Sequence, residues 1–179
     1  MIISSILIGG LLIPSILNYY GVLVGQKGVD YYGEVHTTFH NSMVHTIFMP
    51  ITIYGMLLWI PSVLTYICNV PHNKLMVTHK VIQLSFYFAY MTHYITINIG
   101  VGILLMMIYS VPLYFAQRLY ITNSSNYFIY GLTISTISLI IQEVFGHYYG
   151  GDKPSRPEAI FNAILYAVYF SVGHFIRYI

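Results

Sequence analysis

Charged residues are rare in this chain, and they fall in clumps. Only seven Lys or Arg and five Asp or Glu occur among its 179 residues, whereas about a quarter of the residues in an ordinary soluble domain are charged. Five charge-free runs lie between the clumps, at residues 1–26, 35–73, 81–117, 119–142 and 159–176. Each run can contain a helix of about 20 residues, the length that spans a hydrocarbon core of about 30 Å. The pattern therefore predicts an all-α, polytopic membrane helix bundle.

Composition supports a membrane protein and argues against a nucleic-acid-binding protein. Hydrophobic residues make up 57% of the chain, and its mean hydropathy is +0.70. The net charge of +2 is too small to indicate nucleic-acid binding, so the expected surroundings are the lipid bilayer.

We interpret the whole chain, residues 1–179, as a single transmembrane domain with about five to six membrane-embedded helices. The candidate helices are residues 43–68, 79–97, 99–116, 127–147 and 157–178. The N-terminal apolar segment, residues 2–25, is interpreted as retained, because it has no basic stretch and no clear small-x-small cleavage site. The loop charges differ too little between the two sides to predict the orientation.

The stretch of residues 81–116 decides the topology. As one helix, its 36 residues would be about 54 Å long, nearly twice the thickness of the hydrocarbon core. We therefore predict two helices with a turn near Asn98. With this hairpin, the segment before Met43 and the segment after His147 lie on the same side of the membrane. With a single helix they would lie on opposite sides.

Histidines are concentrated at two places next to apolar segments. His36, His40 and His45, together with Asn41, lie within ten positions before and at the start of one segment, and His147 ends another. Ionisable side chains at membrane depth are costly and usually mark function. We therefore predict that imidazoles from the two places meet around one metal ion at the membrane surface. The alternative for each histidine is an interfacial side chain bonded to carbonyl groups and water.

A metal ion bound by both His36 and His45 requires a break in the helix between them. Nine residues separate His36 from His45, so one continuous helix would point them to opposite sides. We predict a turn within residues 38–42, with Asn41 or Ser42 capping the next helix. This break would leave His36 in a loop and place His45 one turn inside the membrane helix.

Glu143 lies four residues before His147, which places both on one face of a continuous α-helix. Two interpretations stay open for its carboxylate. Either it only reaches water at the interface, or it accepts the N–H of an imidazole or binds the metal itself. The neighbouring Gln142 could donate a hydrogen bond to a substrate carboxylate.

The first histidine group resembles a known signature. Tyr32, His36 and Asn41 precede the sequence H-T-I-F-M-P, which starts at His45. Together they are similar to the Y-x-x-x-H, N-x-x-x-H-x-I-F-x-P pattern of the membrane-bound 2-hydroxy fatty acid dioxygenases of fungal α-oxidation. Two ordered blocks are more specific than one, and a second block is also present.

The second block covers residues 142–159 and contains Gly146-His147 and Arg156-Pro157. It resembles the Q-F-x-G-H-x-x-x-E-x-x-x-P-A block of the same family. The family glutamine lies four residues before the histidine, where this chain has Glu143, so Gln142 is displaced by one. The family glutamate is replaced by a glycine here, with Asp152 as the nearest carboxylate.

The resemblance implies an enzyme that contains Fe(2+) and uses O2 to shorten a 2-hydroxy fatty acid by one carbon, in the endoplasmic reticulum membrane. It implies that the iron ligands, and hence the catalytic residues, are His36, His45 and His147. His40 is a further candidate ligand without a counterpart in the family pattern. The candidates for contacts around the metal or with substrate are Tyr32, Asn41, Gln142, Glu143, Asp152 and Arg156.

Two other classes stay open. His79 and His93 are 14 residues apart on one helix face, about 21 Å, which is the separation of two stacked haems. A haem protein would need a matching pair on another helix, and no pair has that spacing. The other class is a non-enzymatic polytopic membrane protein that retains a metal-binding histidine site.

Overall fold

The computed structural model describes residues 19, 25–34, 36–122, 126–153, 163 and 166–172. The described residues form an all-α fold with no β-strand among them. Most of the apolar segment 2–25 and most of the candidate helix 157–178 lie outside the described residues, so both stay predictions.

The helices follow one another through short connections. They are α1 Gln26–Gly33, α2 Phe39–Ile67, α3 Leu75–Ile97, α4 Ile99–Thr122 and α5 Tyr127–Ile141. A short 3-10 turn, His72–Lys74, precedes α3, and a π-helix, Gln142–Tyr148, continues α5. Residues 166–172 are also helical, and all of them are buried.

Three stretches are long and apolar enough to cross a membrane. They are α2, Ile99–Leu119 within α4, and Tyr127–Tyr148 from α5 into the π-helix. Large apolar side chains point outward from them, such as Ile47, Met107 and Ile137, each more than half exposed. Exposed apolar faces of this extent are typical of a surface that meets lipid. The three apolar helices therefore indicate a membrane protein.

Asn98 separates α3 from α4, so the stretch 81–116 belongs to two helices. The Asn98 backbone is extended (φ −151°, ψ 119°), and its Oδ1 accepts a hydrogen bond of 3.1 Å from the amide of Val101, which caps α4. Gly102 allows α4 to return close to α3, because a Cβ there would lie 2.6 Å from the backbone nitrogen of Ile95. The turn is at the predicted place, whereas α3 begins earlier than predicted, at Leu75.

α3 runs antiparallel to α2. His79 near the start of α3 bonds to Thr65 near the end of α2, with 3.1 Å between Nε2 and Oγ1. One turn later, the Gln83 side chain donates to the carbonyl of Leu57 at 2.8 Å. Since contacts move towards the start of α2 as α3 proceeds, the α3–α4 turn lies at the end of the bundle where α2 begins.

α5 also runs antiparallel to α2, and the two helices pack very closely. A Cβ on either Gly55 or Gly131 would lie 2.7 Å from the carbonyl oxygen of the other glycine. Further along, Thr52 donates to the Ser138 hydroxyl at 2.9 Å. The end of α5 therefore lies beside the start of α2, which brings the two histidine regions to one end of the bundle.

Candidate metal centre

Three buried histidines from distant parts of the chain meet at this end of the bundle. His36 lies in the connection between α1 and α2, His45 in the second turn of α2, and His147 in the π-helix. The ring centroid of His36 is 4.6 Å from that of His45 and 4.7 Å from that of His147, and the last two are 5.4 Å apart. One ring nitrogen from each histidine lies within 4.8 Å of the other two. The group can hold a metal ion after small shifts, since imidazole ligands lie about 2.0–2.1 Å from a metal such as zinc.

A helix break at Thr38 brings His36 and His45 together. The Thr38 backbone is extended (φ −91°, ψ 145°), and its Oγ1 accepts a hydrogen bond from the amide of Asn41. A break therefore does separate the two histidines. The predicted cap was wrong, because Thr38 caps α2, whereas Asn41 and Ser42 are buried inside its first turn.

Two of the histidines are oriented by backbone carbonyls. Nδ1 of His36 donates to the carbonyl of Tyr32 at 2.9 Å, and Nδ1 of His147 donates to the carbonyl of Lys153 at 2.7 Å. Because a carbonyl oxygen can only accept, Nδ1 carries the proton in both rings. Nε2 of each ring is therefore a lone-pair donor for a metal. Histidine ligands in metal sites are commonly oriented by such a contact.

Three other ring nitrogens of the histidine group are buried without a hydrogen-bond partner among the described residues. Nε2 of His36 and both nitrogens of His45 are shielded from solvent and make no hydrogen bond with the described residues. The Gln142 side chain lies near His45. Buried polar atoms without a partner are rare in native structures and need an explanation. A bound cation supplies one, so these residues fit a metal.

His36 is neutral, as a metal ligand must be. Burial and the nearby His45 lower the pKa of its imidazole to about 3, against the opposing effect of the hydrogen bond to the Tyr32 carbonyl. Its ring is therefore uncharged throughout the physiological pH range. Tyr32 stacks on this ring with centroids 4.1 Å apart. Burial, followed by the charge of Glu143, raises the pKa of the Tyr32 phenol well above its usual range, so the hydroxyl stays protonated.

Asp152 joins the loop after the π-helix to the start of α2. Its carboxylate accepts hydrogen bonds from the backbone amides and hydroxyls of Thr37 and Thr38, and from the side-chain amide of Asn41 at 2.8 Å. Burial raises the pKa of this carboxyl, but the hydrogen bonds from Thr37, Asn41 and Thr38 together outweigh burial and hold the pKa well below its usual range. The ionised carboxylate therefore fixes the His147 region against the segment between His36 and His45.

The π-helix brings Gln142 onto the face of His147. Hydrogen bonds in a π-helix join residues five apart rather than four. Gln142, five residues before His147, is accordingly 2% exposed, whereas Glu143 is exposed. Glu143 also lies near the histidine group, since it lines the cavity together with His45 and its charge acts on Tyr32. The role of its carboxylate stays a prediction.

The Gln142 side chain makes its hydrogen bonds through the amide nitrogen. Its Nε2 donates to Thr52 Oγ1 at 2.7 Å and to the carbonyl of Ser138 at 3.2 Å, while its Oε1 is buried without a hydrogen-bond partner among the described residues. The nitrogen predicted to donate to a substrate carboxylate is thus used inside the protein. The group that Gln142 offers to a ligand is an acceptor.

Gly146 permits the close approach of the π-helix to α2. A Cβ there would lie 2.8 Å from Oδ1 of Asn41 and 3.5 Å from Nε2 of His45. Asn41 in turn lies 3.5 Å from Nδ1 of His147 through its amide nitrogen. Any larger side chain at position 146 would therefore push the histidines apart.

The other predicted residues fall outside the histidine group. His40 is exposed and lies beside Gly150, and Arg156 lies outside the described residues. His79 bonds to Thr65, and His93 packs against the rings of Tyr94 and Tyr166.

A cavity of about 440 Å³ adjoins the histidine group, and sequence reasoning missed it. At the histidine end it is lined by Tyr32, His45, Gln142 and Glu143, and it then continues between α2 and α3. Its α2 residues recur at helical spacing along one face. That pattern is the same for a face that packs against another helix, so no local signal distinguishes the two cases.

Comparisons with protein-family models, with curated proteins and with solved structures found no match for this chain.

Proposed function

We propose that this chain is an Fe(II)-dependent dioxygenase that shortens 2-hydroxy fatty acids by one carbon, with O2 as co-substrate, in the endoplasmic reticulum membrane. The observation that carries the proposal is the buried group of His36, His45 and His147, in which Nδ1 of two rings donates to a carbonyl and leaves Nε2 as the possible metal ligand. The reaction, the substrate and the membrane come from the sequence resemblance. The histidine group supplies the physical basis for the metal.

Iron is the proposed metal because neutral imidazoles suit Fe(II), although they also suit zinc and copper. When bound, Fe(II) supplies the open coordination positions and the redox chemistry that a reaction with O2 requires. The three histidines would hold it at the polar end of the cavity.

The surrounding side chains suit an acid that bears a neighbouring hydroxyl. The protonated hydroxyl of Tyr32 is a hydrogen-bond donor for a carboxylate, and Oε1 of Gln142 is an acceptor for the 2-hydroxyl group. Both residues line the cavity beside His45. Tyr32 and Gln142 would therefore orient the head of the substrate, while the apolar walls keep water from the remainder.

We also propose that about five to six helices are embedded in the membrane. α2 and α4 run in the same direction, so α3, which joins the end of one to the start of the other, has to cross as well. With α5, this makes four crossings. The segments 2–25 and 157–178 would supply the remainder.

A second candidate is a non-enzymatic membrane protein that keeps a metal-binding histidine site. It is favoured by the ligand set, because no carboxylate belongs to the histidine group among the described residues. Many non-haem iron oxygenases use two histidines and a carboxylate, and the histidine group lacks that carboxylate, whereas three histidines also bind zinc.

Metal analysis of the purified chain, followed by oxygen-consumption measurements with 2-hydroxy fatty acids, tests the proposal. We expect iron in the wild type and its loss, together with the loss of turnover, in His45→Ala and His147→Ala. The matched control is His72→Ala, since His72 is an exposed histidine outside the site. Bound zinc without oxygen consumption would favour the non-enzymatic candidate. Full activity of His45→Ala would contradict the ligand assignment.

A further inference from the structure

The cavity beside the histidine group is long and follows α2. Its α2 residues are His45, Met49, Thr52, Ile53, Met56, Leu57, Ile60 and Pro61. These positions lie on one face of the helix, and the first and last are sixteen residues apart, which corresponds to about 24 Å at 1.5 Å per residue. The lining of the space therefore extends from the histidine group along much of α2, and we call this space the channel.

The channel is polar at its histidine end and apolar along its length. Past Tyr32, Gln142 and Glu143, its α3 wall consists mainly of Phe86, Tyr87, Tyr90 and Met91. Gln83 marks the far end, where its amide is fixed by hydrogen bonds to the Leu57 carbonyl and the Tyr127 hydroxyl at 2.8 and 2.6 Å. This distribution matches a molecule with one polar head and one long apolar chain.

We infer that this channel holds the alkyl chain of the substrate inside the protein, with the carboxylate end at the histidine group, and that its length limits the chain that can bind. The inference rests on the proposed function for the identity of the head group. An extended chain advances about 3.3–3.6 Å for every three bonds, as the polypeptide backbone does. About twenty bonds therefore cover about 24 Å, so the channel takes a long unbranched acid, and longer acids are excluded.

The occupant is a free fatty acid rather than a bilayer lipid, because the channel starts at the candidate metal centre. The head group has to lie beside the unpaired nitrogens of His45 and Oε1 of Gln142, both buried. A single carboxylate with an adjacent hydroxyl fits these small polar groups. A phospholipid would need to place a bulky head group and a second acyl chain there.

Met56→Trp tests the inference by blocking the channel part of the way along. Met56 is eleven residues beyond His45, about 16 Å, which leaves room for about fourteen bonds. The optimal chain should therefore shorten by about six carbons, measured by displacement of a fluorescent fatty acid from the purified chain by 2-hydroxy acids of increasing length. Ile53→Trp, nearer the histidines, should shorten the optimum further. Met107→Trp is the control, since Met107 is 60% exposed on the outer face of α4.

The outcomes separate this inference from the proposed function. A shift of the binding optimum without any oxygen consumption would support the channel and contradict the enzyme. Oxygen consumption with the same chain-length profile in Met56→Trp, Ile53→Trp and the wild type would support the enzyme and overturn the channel. Displacement by phosphatidylcholine as effective as displacement by the 2-hydroxy acid would also overturn it, since bilayer lipid would then fill the space. If one tryptophan variant does not fold, the profile of the other decides.

Discussion

Replacing Gly146 with alanine should weaken metal binding more than it weakens the fold. The new Cβ would lie 2.8 Å from Oδ1 of Asn41, whereas ordinary contacts begin at 3.4 Å. Asn41 has little freedom to move, because it is completely buried and donates to Asp152 at 2.8 Å. The π-helix that carries His147 therefore has to move away from α2 by about 0.6 Å, if the overlap is relieved to that contact distance.

The size of the effect follows from this displacement. A misplacement of about 1 Å in a functional site can cost about 100-fold, and changes in the groups that orient metal ligands typically cost about 10 to 100-fold in affinity. A shift of about half that distance should lower the metal affinity by about tenfold. Overpacking of this kind should also cost about 1–3 kcal/mol of stability.

Metal affinity is measured by titration of the metal-free protein in micelles, alongside thermal unfolding. Gly131→Ala is the control for packing strain, because its Cβ would lie 2.6 Å from Cβ of Leu58, away from the histidines. Gly100→Ala is the control for the substitution itself, since the nearest atom to its Cβ is 3.5 Å away. We expect Gly131→Ala to lose stability but keep its metal affinity once folded. Wild-type affinity in Gly146→Ala would refute the proposed contact between the π-helix and the metal centre.

Three further predictions concern the frame of the site. Asp152→Asn should lower the unfolding temperature most above about pH 5 and progressively less as the pH falls. The reason is that a carboxyl with a depressed pKa stabilises the fold above its unfolded pKa of about 3.9 and loses that effect on protonation. An equal difference at every pH would contradict this. Gln142→Leu should lower the free energy of unfolding by about 1–3 kcal/mol, because it breaks buried hydrogen bonds. Glu143→Gln, at an exposed position, should change it by less than about 0.5 kcal/mol. Thermal unfolding that reverses this order would refute the register of the π-helix. Gly55→Ala should destabilise the bundle by about 1–3 kcal/mol, and an unchanged unfolding temperature would argue against the close crossing of α2 and α5.

The helical class and the turn at Asn98 could be predicted because they depend on local properties. Charge-free runs of sufficient length predict apolar helices, and a stretch too long for one crossing has to turn. Asn98 is also a residue whose side chain readily caps a helix, as its contact with Val101 illustrates. The break before His45 could be predicted for the same reason, since Thr38 is one of several nearby residues that cap helices. Which of them does so depends on Asp152, which binds Thr37 and Thr38 from the far end of the chain.

The sequence by itself determined that the histidines border apolar helices at one side of a bundle, because hydropathy, helix length and capping act over a few residues at a time. Only the tertiary structure decided which side chains face the centre. The π-helix buries Gln142 beside the histidines, the Asp152 carboxylate binds the start of α2, and the cavity along α2 exists because the facing helices leave that space. These features depend on contacts between residues as much as about a hundred positions apart, and such contacts leave no periodic signal in the chain.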